Sequence, residues 1–388
     1  MKNKTFIGIF LGIIFSVFVF VPLKEVLIRL HITDYYRSDN WQLVSKTSDP
    51  IYDKVMTLES FISNRYNNYF PFYNSINSLY YNSIINVDGL LFNNIYLKDN
   101  NDKEHLFYND KDNFYFLVKH YSKEELDNRL NNQIKFYNDI NDKYPNIKLG
   151  IYLPARYDSL RDVNIKGTYD SITKFMNGLN DNIKLGVFDL NKDDYLNYYY
   201  KTDHHYNSLG AELVYKDILN MYGLSNKLNI THKDVKTPYY GSHAKSTLMT
   251  RTSDTLTAMD IDNNLKVNIE DKTFKPLEVT DRKNKFYDYY VGYFSGMFDE
   301  VIYENNTHYF RNLLIIGDSL SWQIDYLLAT NFDKTFVVNT KYGKWLKEDL
   351  VLSDYIEKNN ITHILFLRET KNLIFDADNF KLDKKVIR

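Results

Sequence analysis

Near its C-terminal end the chain reads Leu314-Ile315-Ile316-Gly317-Asp318-Ser319-Leu320-Ser321. An apolar strand runs into a Gly-Asp-Ser turn, and a helical pattern follows over residues 321–329. Open α/β folds place their sites outside the carboxyl ends of parallel strands, which is where this turn would put Ser319. The free N–H groups of the following helix could stabilise an oxyanion there. A serine or aspartate that only caps the helix would produce the same pattern.

Helical and strand patterns alternate on both sides of this segment. Helices are predicted over residues 122–144, 169–179 and 346–358. Strands are predicted over residues 147–153, 183–190, 312–316, 335–338 and 363–367. This alternation indicates an α/β fold with a parallel sheet and flanking helices. Between the two halves, residues 234–303 are polar with little periodicity, and we expect an irregular insertion that covers the sheet edge.

The composition excludes several classes of protein. The chain has 388 residues, a formal net charge of −2, 44% hydrophobic and 16% aromatic residues. It is therefore neither disordered nor broadly basic, and no nucleic acid partner is expected. The absence of cysteine excludes disulfide scaffolds, thiol catalysis and cysteine-based zinc or iron–sulfur sites. No cofactor is indicated.

The N-terminus predicts a membrane anchor. Residues 6–23 carry no charge and follow Lys2 and Lys4. At roughly 1.5 Å per residue, about 18 helical residues nearly span the hydrocarbon core of a bilayer. No small residues stand where a signal peptidase would cut, and a buried core helix is the other interpretation. We expect one uncleaved transmembrane helix in the cell membrane, with the rest of the chain extracytoplasmic.

The sequence therefore suggests three parts. Residues 1–30 would form the membrane anchor. Residues 31–110 would form a helical elaboration on the stalk side, because apolar residues between 53 and 85 have helical spacing. Residues 111–388 would form the α/β domain, including the irregular insertion at about 234–303.

A second segment reads Thr202-Asp203-His204-His205-Tyr206-Asn207-Ser208-Leu209-Gly210-Ala211. A serine nucleophile needs a base, and the base needs an acceptor that fixes its tautomer. Asp203 and His205 could supply this pair, whereas His204 points elsewhere in an extended chain. A structural polar turn and a metal site are the other interpretations. Because adjacent histidines rarely bind one ion and no suitably spaced third histidine follows, no metal is predicted.

Together the two segments resemble the DHHW family, whose signature block reads Asp-His-His-Trp. This family is related to the alginate acetylation proteins of the SGNH hydrolase-like group. The similarity extends over roughly residues 50–375 and includes four further blocks: Phe70-Pro71-Phe72, Asp88-Gly89-Leu90-Leu91-Phe92, Tyr239-Tyr240-Gly241-Ser242 and Ile316-Gly317-Asp318-Ser319. Two positions depart from the pattern. Tyr206 replaces the tryptophan, and Leu320 stands where relatives often have tyrosine.

The resemblance implies an SGNH hydrolase-like, flavodoxin-like α/β domain with a Ser–His–Asp site. Carried over, Ser319 is the nucleophile, His205 the general base and Asp203 its orienting partner. The usual SGNH esterases instead have an Asp-x-x-His near the C-terminus. The similar string at residues 360–363 has Asn in place of Asp and enters its strand from the amino end. It is therefore rejected.

Several further residues are weaker candidates for the site. Gly241 and Ser242 could contribute an oxyanion donor, although a plain turn is the simpler interpretation. Arg368 and Glu369 follow the strand at 363–367 and could face the site or form a solvated ion pair. Arg156 also follows a strand and could bind an anionic polymer or be an ordinary surface charge.

The resemblance also implies a function. Relatives act on O-acetyl groups of secreted or cell-wall polysaccharide, often beside a multi-pass membrane-bound O-acyltransferase that supplies acetyl groups. We therefore expect an extracytoplasmic polysaccharide O-acetyltransferase. An acetylesterase with the same triad is the second hypothesis, because it differs only in the acceptor. The third is a non-catalytic polysaccharide-binding or assembly factor that uses the abundant tyrosines for sugar stacking.

Overall fold

The computed structural model describes residues 78–79, 81–82, 85–86, 93–100, 104–119, 122–261, 265–269, 272–273, 285–294, 298, 300–305, 308–339 and 352–374. The predicted anchor at residues 1–30 lies outside these ranges. Among the helices that the structure describes, none has the length and apolar character needed to cross a bilayer.

Thirteen strands lie in the described residues. In chain order they are β1 (Asn94–Asn100), β2 (Glu104–Asn109), β3 (Phe114–Lys119), β4 (Lys148–Leu153), β5 (Lys184–Val187), β6 (Thr231–Tyr239), β7 (Asp254–Asp260), β8 (Lys266–Ile269), β9 (Lys272–Thr273), β10 (Glu300–Glu304), β11 (Asn312–Gly317), β12 (Lys334–Asn339) and β13 (His363–Leu367).

Nine α-helices of five residues or more accompany the strands in the same ranges, and residues 78–79, 81–82 and 85–86 are also helical. They are α1 (Lys123–Lys143), α2 (Thr168–Gly178), α3 (Lys192–Tyr198), α4 (Ser208–Met221), α5 (Ser242–Thr247), α6 (Tyr289–Tyr293), α7 (Asp325–Ala329), α8 (Leu352–Asn359) and α9 (Thr370–Ile374). Short 3₁₀ turns lie at Tyr157–Ser159 and Ile165–Gly167.

An eight-stranded sheet forms the centre of the molecule, in the order β5-β4-β13-β11-β12-β10-β8-β9. The first five strands are parallel, and β10, β8 and β9 extend the edge in antiparallel pairing. Every residue of β13 and all but the first of β11 are buried, as expected for strands covered on both faces. The mixed α/β fold with a mostly parallel sheet is therefore confirmed.

Alternate residues of the parallel strands face two separate cores. In β11, Leu314 and Ile316 pack in a core with helices α1, α2, α8 and α9. Leu313 and Ile315 pack on the other side with helices α3, α4 and α7. This period of two places helices on both faces and leaves the carboxyl ends of the strands at one common edge.

The prediction of a helical elaboration over residues 31–110 agrees with the helical residues 78–79, 81–82 and 85–86, but it misses the strands that follow them. Strands β1 and β2 lie within that range, and with β3 they form a three-stranded antiparallel sheet. This sheet packs on both faces, because Leu106 and Tyr115 lie in one buried cluster and Phe114 and Phe116 in another. The proposed boundary at residue 110 consequently falls inside this sheet, between β2 and β3.

The prediction of an irregular insertion at about 234–303 also needs correction. Strands β6 and β7 pair antiparallel around helix α5, and β8 and β10 join the edge of the central sheet beside β12. The insertion therefore extends the sheet edge instead of only covering it. Strands β8 and β10 have only four and five residues, and β6 is mostly polar, so their alternation is hard to recognise in the sequence.

The other predicted elements agree with the structure to within a few residues, apart from two helices near the C-terminus. Ser122 caps α1 by accepting a hydrogen bond from the Glu125 N–H at 3.2 Å. The helix predicted from Ser321 begins only at Asp325, because residues 319–324 form consecutive turns. Ser319 is consequently not at a helix N-terminus. The helix predicted over 346–358 is observed from Leu352, and residues 340–351 lie outside the described ranges.

A buried carboxyl group at the start of α7 predicts a pH-dependent stability. Burial raises the pKa of Asp325 to about 7, and its Oδ1 accepts hydrogen bonds from the Tyr303 hydroxyl and the Tyr326 N–H. Because the folded-state pKa lies above the ordinary value, ionisation lowers stability progressively as the pH rises towards neutrality. Asp325→Asn keeps the acceptor oxygen and should be more stable at about pH 8, by up to about 4 kcal/mol.

Urea unfolding at about pH 5 and about pH 8 checks this expectation. The advantage of Asp325→Asn should grow with pH. The exposed Asp181→Asn is the control and should show no such trend. An advantage of equal size at both pH values would mean that ionisation of Asp325 is not its cause.

Candidate active site

A short closed loop carries the Asp-His-His segment. Tyr199 and Tyr206 form an antiparallel bridge at its base, and the Tyr200 N–H donates to the His205 carbonyl at 3.2 Å. Asn207 then caps α4 by accepting hydrogen bonds from two backbone N–H groups of the helix. The loop is thus fixed at both ends by backbone pairing and by the cap.

The structure brings the three predicted triad residues together. His205 Nε2 lies 2.8 Å from Ser319 Oγ, and His205 Nδ1 lies 2.9 Å from Asp203 Oδ1. Asp203 and His205 are buried, whereas Ser319 is partly exposed at the carboxyl end of β11. These distances are those of a hydrogen-bonded Ser–His–Asp chain with one face open to a ligand.

The carboxylate of Asp203 accepts hydrogen bonds on both oxygens. Oδ1 accepts from the His204 N–H at 2.7 Å and from Ser242 Oγ at 3.0 Å. Oδ2 accepts from the Ser242 N–H at 3.0 Å and from the Tyr239 hydroxyl. A carboxylate satisfied in this way remains ionised and orients the imidazole beside it.

The titration behaviour of the pair follows from burial and from these partners. Burial opposes ionisation of Asp203, but His205 and the hydrogen bonds from His204 and His205 hold the pKa of Asp203 well below its usual value. Burial lowers the pKa of His205, and His204 lowers it further, against the opposing effect of Asp203. At neutral pH the pair is therefore a carboxylate beside a neutral imidazole.

Gly241 allows the Tyr239–Ser242 segment to approach Asp203 closely. A Cβ atom at this position would lie 2.4 Å from both Cβ and Oδ2 of Asp203. The Gly241 N–H donates to Thr202 Oγ1 at 2.9 Å, so the segment also contacts the residue before the aspartate. Gly241 and Ser242 use their N–H groups inside the protein. Neither is free to donate to an oxyanion, so they support Asp203 instead.

Asp254 fixes the loop from the other strand of the insertion. It accepts hydrogen bonds from the N–H groups of Lys201 and Thr202 at 2.9 and 2.8 Å, and from Thr202 Oγ1 at 2.5 Å. Sequence reasoning missed Asp254, because no local pattern marks an aspartate whose partner is more than 50 residues away in the chain. Tyr239 lies in the Tyr239–Ser242 block that resembled the family, but only Gly241 and Ser242 of that block were predicted to lie in the site.

The turn that carries Ser319 is braced by Asp318. Its Oδ2 accepts hydrogen bonds from the Glu369 N–H at 3.0 Å and from Asn372 Nδ2 at 3.1 Å, and its Oδ1 accepts from the Leu320 N–H at 3.1 Å. The Ser321 N–H donates to the Asp318 carbonyl at 2.9 Å. Asp318 therefore links the turn after β11 to the segment after β13.

Arg156, Arg368 and Glu369 are all buried, which excludes the ordinary surface roles. Arg156 contacts Asp158 through two hydrogen bonds at 3.0 and 3.1 Å, and also Glu104 at 3.0 Å and Glu369 at 3.4 Å. Three carboxylates already surround its guanidinium, so the structure does not support binding of an anionic polymer by Arg156. Arg368 lies at the carboxyl end of β13 with 1% of its surface exposed.

A cleft opens beside the triad, between the three-stranded sheet and the carboxyl edge of the central sheet. It encloses about 420 Å³ including its open mouth. Asp203, His204, His243 and Leu320 form the side near the triad. The lining also includes four aromatic residues, Tyr115, Phe116, Tyr157 and Tyr195.

The hydrogen bonds of the histidine ring nitrogens bear on whether the Asp-His-His group could bind a metal ion. Ligand atoms of Asp203, His204 and His205 lie within 4.8 Å of one another, a spacing that a metal ion could use. Both ring nitrogens of His205 are, however, hydrogen-bonded to Asp203 and Ser319, and His204 Nδ1 lies 3.0 Å from Ser242 Oγ. Metal binding by His205 would require one of the triad hydrogen bonds to break.

The close approach at Gly241 leads to a direct test. Gly241→Ala should displace Asp203 and lower stability by about 1–3 kcal/mol. It should also abolish the downfield proton NMR signal of a histidine Nδ1–H bonded to a buried carboxylate. Gly223→Ala is the control. Gly223 has a φ of +69° and no atom within 4 Å of an added Cβ, so its substitution strains the backbone away from the triad. A downfield signal that persists in Gly241→Ala would contradict the assigned role.

Comparisons with protein-family models and with curated proteins find no match. Among solved structures, a DHHW family protein from Eubacterium siraeum matches 75% of this chain and 98% of its own, with 18% identity and a TM-score of 0.56. PatB1 of Bacillus cereus, in one structure with a sulfonyl adduct, matches 74% of this chain and 99% of its own at 20% and 21% identity, with TM-scores of 0.54 and 0.53.

The O-acetyltransferase domain of Pseudomonas putida AlgJ is less similar. It matches 70% of this chain and 94% of its own, with 12% identity and a TM-score of 0.41. The matches to the DHHW family protein and to PatB1 cover almost the whole of each. They show a common fold, and they confirm the resemblance to DHHW family proteins that the sequence motifs indicated.

Proposed function

We propose that this protein is an extracytoplasmic O-acetyltransferase that acts on secreted or cell-wall polysaccharide through an acyl-Ser319 intermediate. The observation that carries the proposal is the continuous hydrogen-bond chain from Asp203 through His205 to Ser319. The choice of acetyl as the transferred group and of polysaccharide as the acceptor rests on the resemblance to the DHHW family. The membrane anchor at residues 1–30 and a multi-pass O-acyltransferase that supplies acetyl units belong to the same proposal.

In the first half-reaction, the Ser319 hydroxyl attacks the carbonyl carbon of an acetyl donor. Its proton passes to His205 Nε2, which becomes an imidazolium beside the ionised Asp203. The carbonyl oxygen becomes an oxyanion. When the tetrahedral intermediate collapses, the bond to the donor oxygen breaks, and that oxygen takes the proton from His205. The products are acetyl-Ser319 and the free donor hydroxyl.

In the second half-reaction, a sugar hydroxyl attacks the acetyl-Ser319 carbonyl and gives its proton to His205. Collapse of the second intermediate breaks the bond to Ser319 Oγ, which recovers the proton from His205. The acetylated sugar is released and the site is restored. Water in place of the sugar hydroxyl would make the same site an acetylesterase, so the acceptor alone separates transfer from hydrolysis.

The turn after β11 offers one clear donor for the oxyanion. The N–H groups of Leu320 and Ser321 are bonded to Asp318. In the described part of the chain the Ser319 N–H has no hydrogen-bond acceptor. It belongs to the same residue as the attacking Oγ and is therefore close to the reacting carbonyl. We therefore assign the Ser319 N–H as an oxyanion donor.

The cleft beside the triad combines aromatic and polar side chains. Tyr157 is partly exposed, whereas Tyr115, Phe116 and Tyr195 are buried and pack against other rings. A sugar ring could stack on Tyr157, and the polar groups nearby can bond hydroxyls. This lining supports a carbohydrate ligand beside Leu320, the residue that follows Ser319.

The triad predicts a sharp mutational pattern. In full-length protein in detergent, with an activated acetyl ester, Ser319→Ala and His205→Ala should each lower turnover by about 10³-fold or more, and Asp203→Asn should have a large effect too. A phenylsulfonyl fluoride should also modify wild type, because Ser319 Oγ displaces fluoride while His205 takes the proton. Mass spectrometry should find the sulfonyl group on Ser319 and on no residue in Ser319→Ala.

Ser208→Ala is a matched control for this experiment. Ser208 Oγ also lies 2.9 Å from a histidine ring nitrogen, His232 Nδ1, but the serine is buried away from the triad. Its loss should leave turnover and sulfonylation unchanged. Turnover and labelling that survive in Ser319→Ala would overturn catalysis by Ser319 and favour a polysaccharide-binding factor.

The lowered pKa of His205 predicts the acid limb of the pH profile. The base must be neutral to accept the serine proton, so kcat/KM should rise with pH and reach its plateau once His205 is deprotonated. Because burial and His204 lower this pKa, the midpoint should lie below the usual histidine value of 6.5. A midpoint above that value, measured over the range in which the protein remains folded, would contradict the described environment.

A further inference from the structure

Tyr290 contacts both the base and the nucleophile of the triad. It belongs to α6 within the insertion and is 1% exposed. Its ring stacks on the His205 imidazole with a centroid distance of 3.8 Å and an interplanar angle of 15°. Its hydroxyl donates a hydrogen bond to the Ser319 carbonyl oxygen at 2.8 Å. One side chain thus connects the two residues between which the proton must move.

The other face of the His205 ring is also covered. His204 lies with its ring centroid 3.9 Å from that of His205, at an angle of 37°. Two rings at such short distances cannot share one face, so His205 lies between His204 and Tyr290. Behind Tyr290, Trp322 stacks at 6.1 Å and 28°. The imidazole therefore belongs to a layered stack of rings that limits its rotation.

We propose that Tyr290 is a positioning residue that keeps His205 and Ser319 in register and stabilises the positive charge that His205 acquires when it accepts a proton. This inference rests on the proposed function. Tyr290 lies far from both sequence segments that indicated the site, and the DHHW resemblance assigns it no role.

The charge argument follows from the groups that face His205. Asp203 and His204 lie on its own loop, and Asp318 lies next to the nucleophile. Burial disfavours the imidazolium, and His204 opposes it as well, so Asp203 is the main favourable partner. The face of an aromatic ring carries negative potential, and its attraction for a cation is stronger where water is excluded. The Tyr290 ring is placed to provide this attraction.

The positioning argument concerns the backbone after the nucleophile. Tyr290 bonds the Ser319 carbonyl, and the Tyr206 hydroxyl bonds the Leu320 carbonyl. Gln323 Nε2 in turn bonds the Tyr206 carbonyl at 2.7 Å. These bonds fix two successive peptide groups of a turn that lies outside regular secondary structure. Small displacements of a nucleophile lower turnover strongly, so this restraint should be visible in kcat.

Two substitutions separate the hydroxyl from the ring. Tyr290→Phe keeps the ring and removes the hydroxyl, whereas Tyr290→Leu removes both and leaves the site apolar. The full-length variants are compared by ester turnover and by NMR titration of the His205 Cε1–H, with His205→Ala used to assign that signal. Tyr289→Phe, a buried tyrosine on the same helix, is the control and should match wild type in both measurements.

We expect Tyr290→Phe to lower kcat by about 3- to 10-fold with little change in KM and an unchanged His205 titration. Tyr290→Leu should lower kcat further and shift the titration midpoint of His205 down by about half to one pH unit, because the imidazolium loses a favourable contact. If Tyr290→Leu does not fold, Tyr290→Met replaces it as the non-aromatic variant.

Wild-type values of kcat in Tyr290→Phe would overturn the role of the hydroxyl. An unchanged midpoint in the folded non-aromatic variant would overturn the role of the ring. The NMR titration of His205 requires no turnover, so it tests the contact between the Tyr290 ring and His205 independently of catalysis. If Ser319→Ala were as active as wild type, only the proposed function would be rejected. Loss of activity in Ser319→Ala together with wild-type behaviour of all Tyr290 variants would reject only the inference on Tyr290.

Discussion

The buried carboxylate of Asp203 is the constraint on which the site depends. A charge removed from water destabilises a protein unless hydrogen bonds and an opposite charge replace the lost hydration. Here Ser242, Tyr239 and the His204 N–H supply the hydrogen bonds, and His205 supplies a partner that can become charged. These donors occupy the oxygens from several directions, so the imidazole can meet the carboxylate in one orientation only. That orientation directs Nε2 towards Ser319.

The partners of Asp203 explain why the insertion at 234–303 belongs to the site. Strand β6 ends at Tyr239, and the turn at Gly241 brings Ser242 against the carboxylate. Asp254 at the start of β7 then fixes the loop that carries Asp203. The parallel sheet places Ser319 at the end of β11, and Tyr290 of the insertion contacts its carbonyl, but the sheet contributes none of the donors to Asp203. The insertion therefore contacts both ends of the Asp203–His205–Ser319 chain.

The parallel sheet and the triad could be predicted because both leave local signals. Buried strands such as β11 and β13 are continuous apolar runs, and Ser319 follows one of them directly. The Asp203–His205 spacing is also readable within one segment. Asp254 and Tyr290 could not be found in this way, because they reach this region only through long-range contacts. The Tyr239–Ser242 block was visible in the sequence, but its partner Asp203 was not. A single sequence does not distinguish a tyrosine that bonds the Ser319 carbonyl from the many tyrosines that fill the cores.

Long-range contacts also explain why both interpretations of Arg156, a surface charge and a binding site for an anionic polymer, are wrong. An arginine after a strand is usually a surface charge, but β2 brings Glu104 against it, and β13 leads to Glu369. Lys371 contacts the same two glutamates at 2.7 and 3.3 Å, so two cations, Arg156 and Lys371, face three carboxylates in one network. The small sheet also contacts the triad loop, since the Tyr115 N–H donates to the Lys201 carbonyl at 2.8 Å. The cleft between them thus has walls fixed by charge pairing on one side and by backbone pairing on the other. Its width depends on how the small sheet packs against the carboxyl edge of the parallel sheet, because residues from both sheets line it.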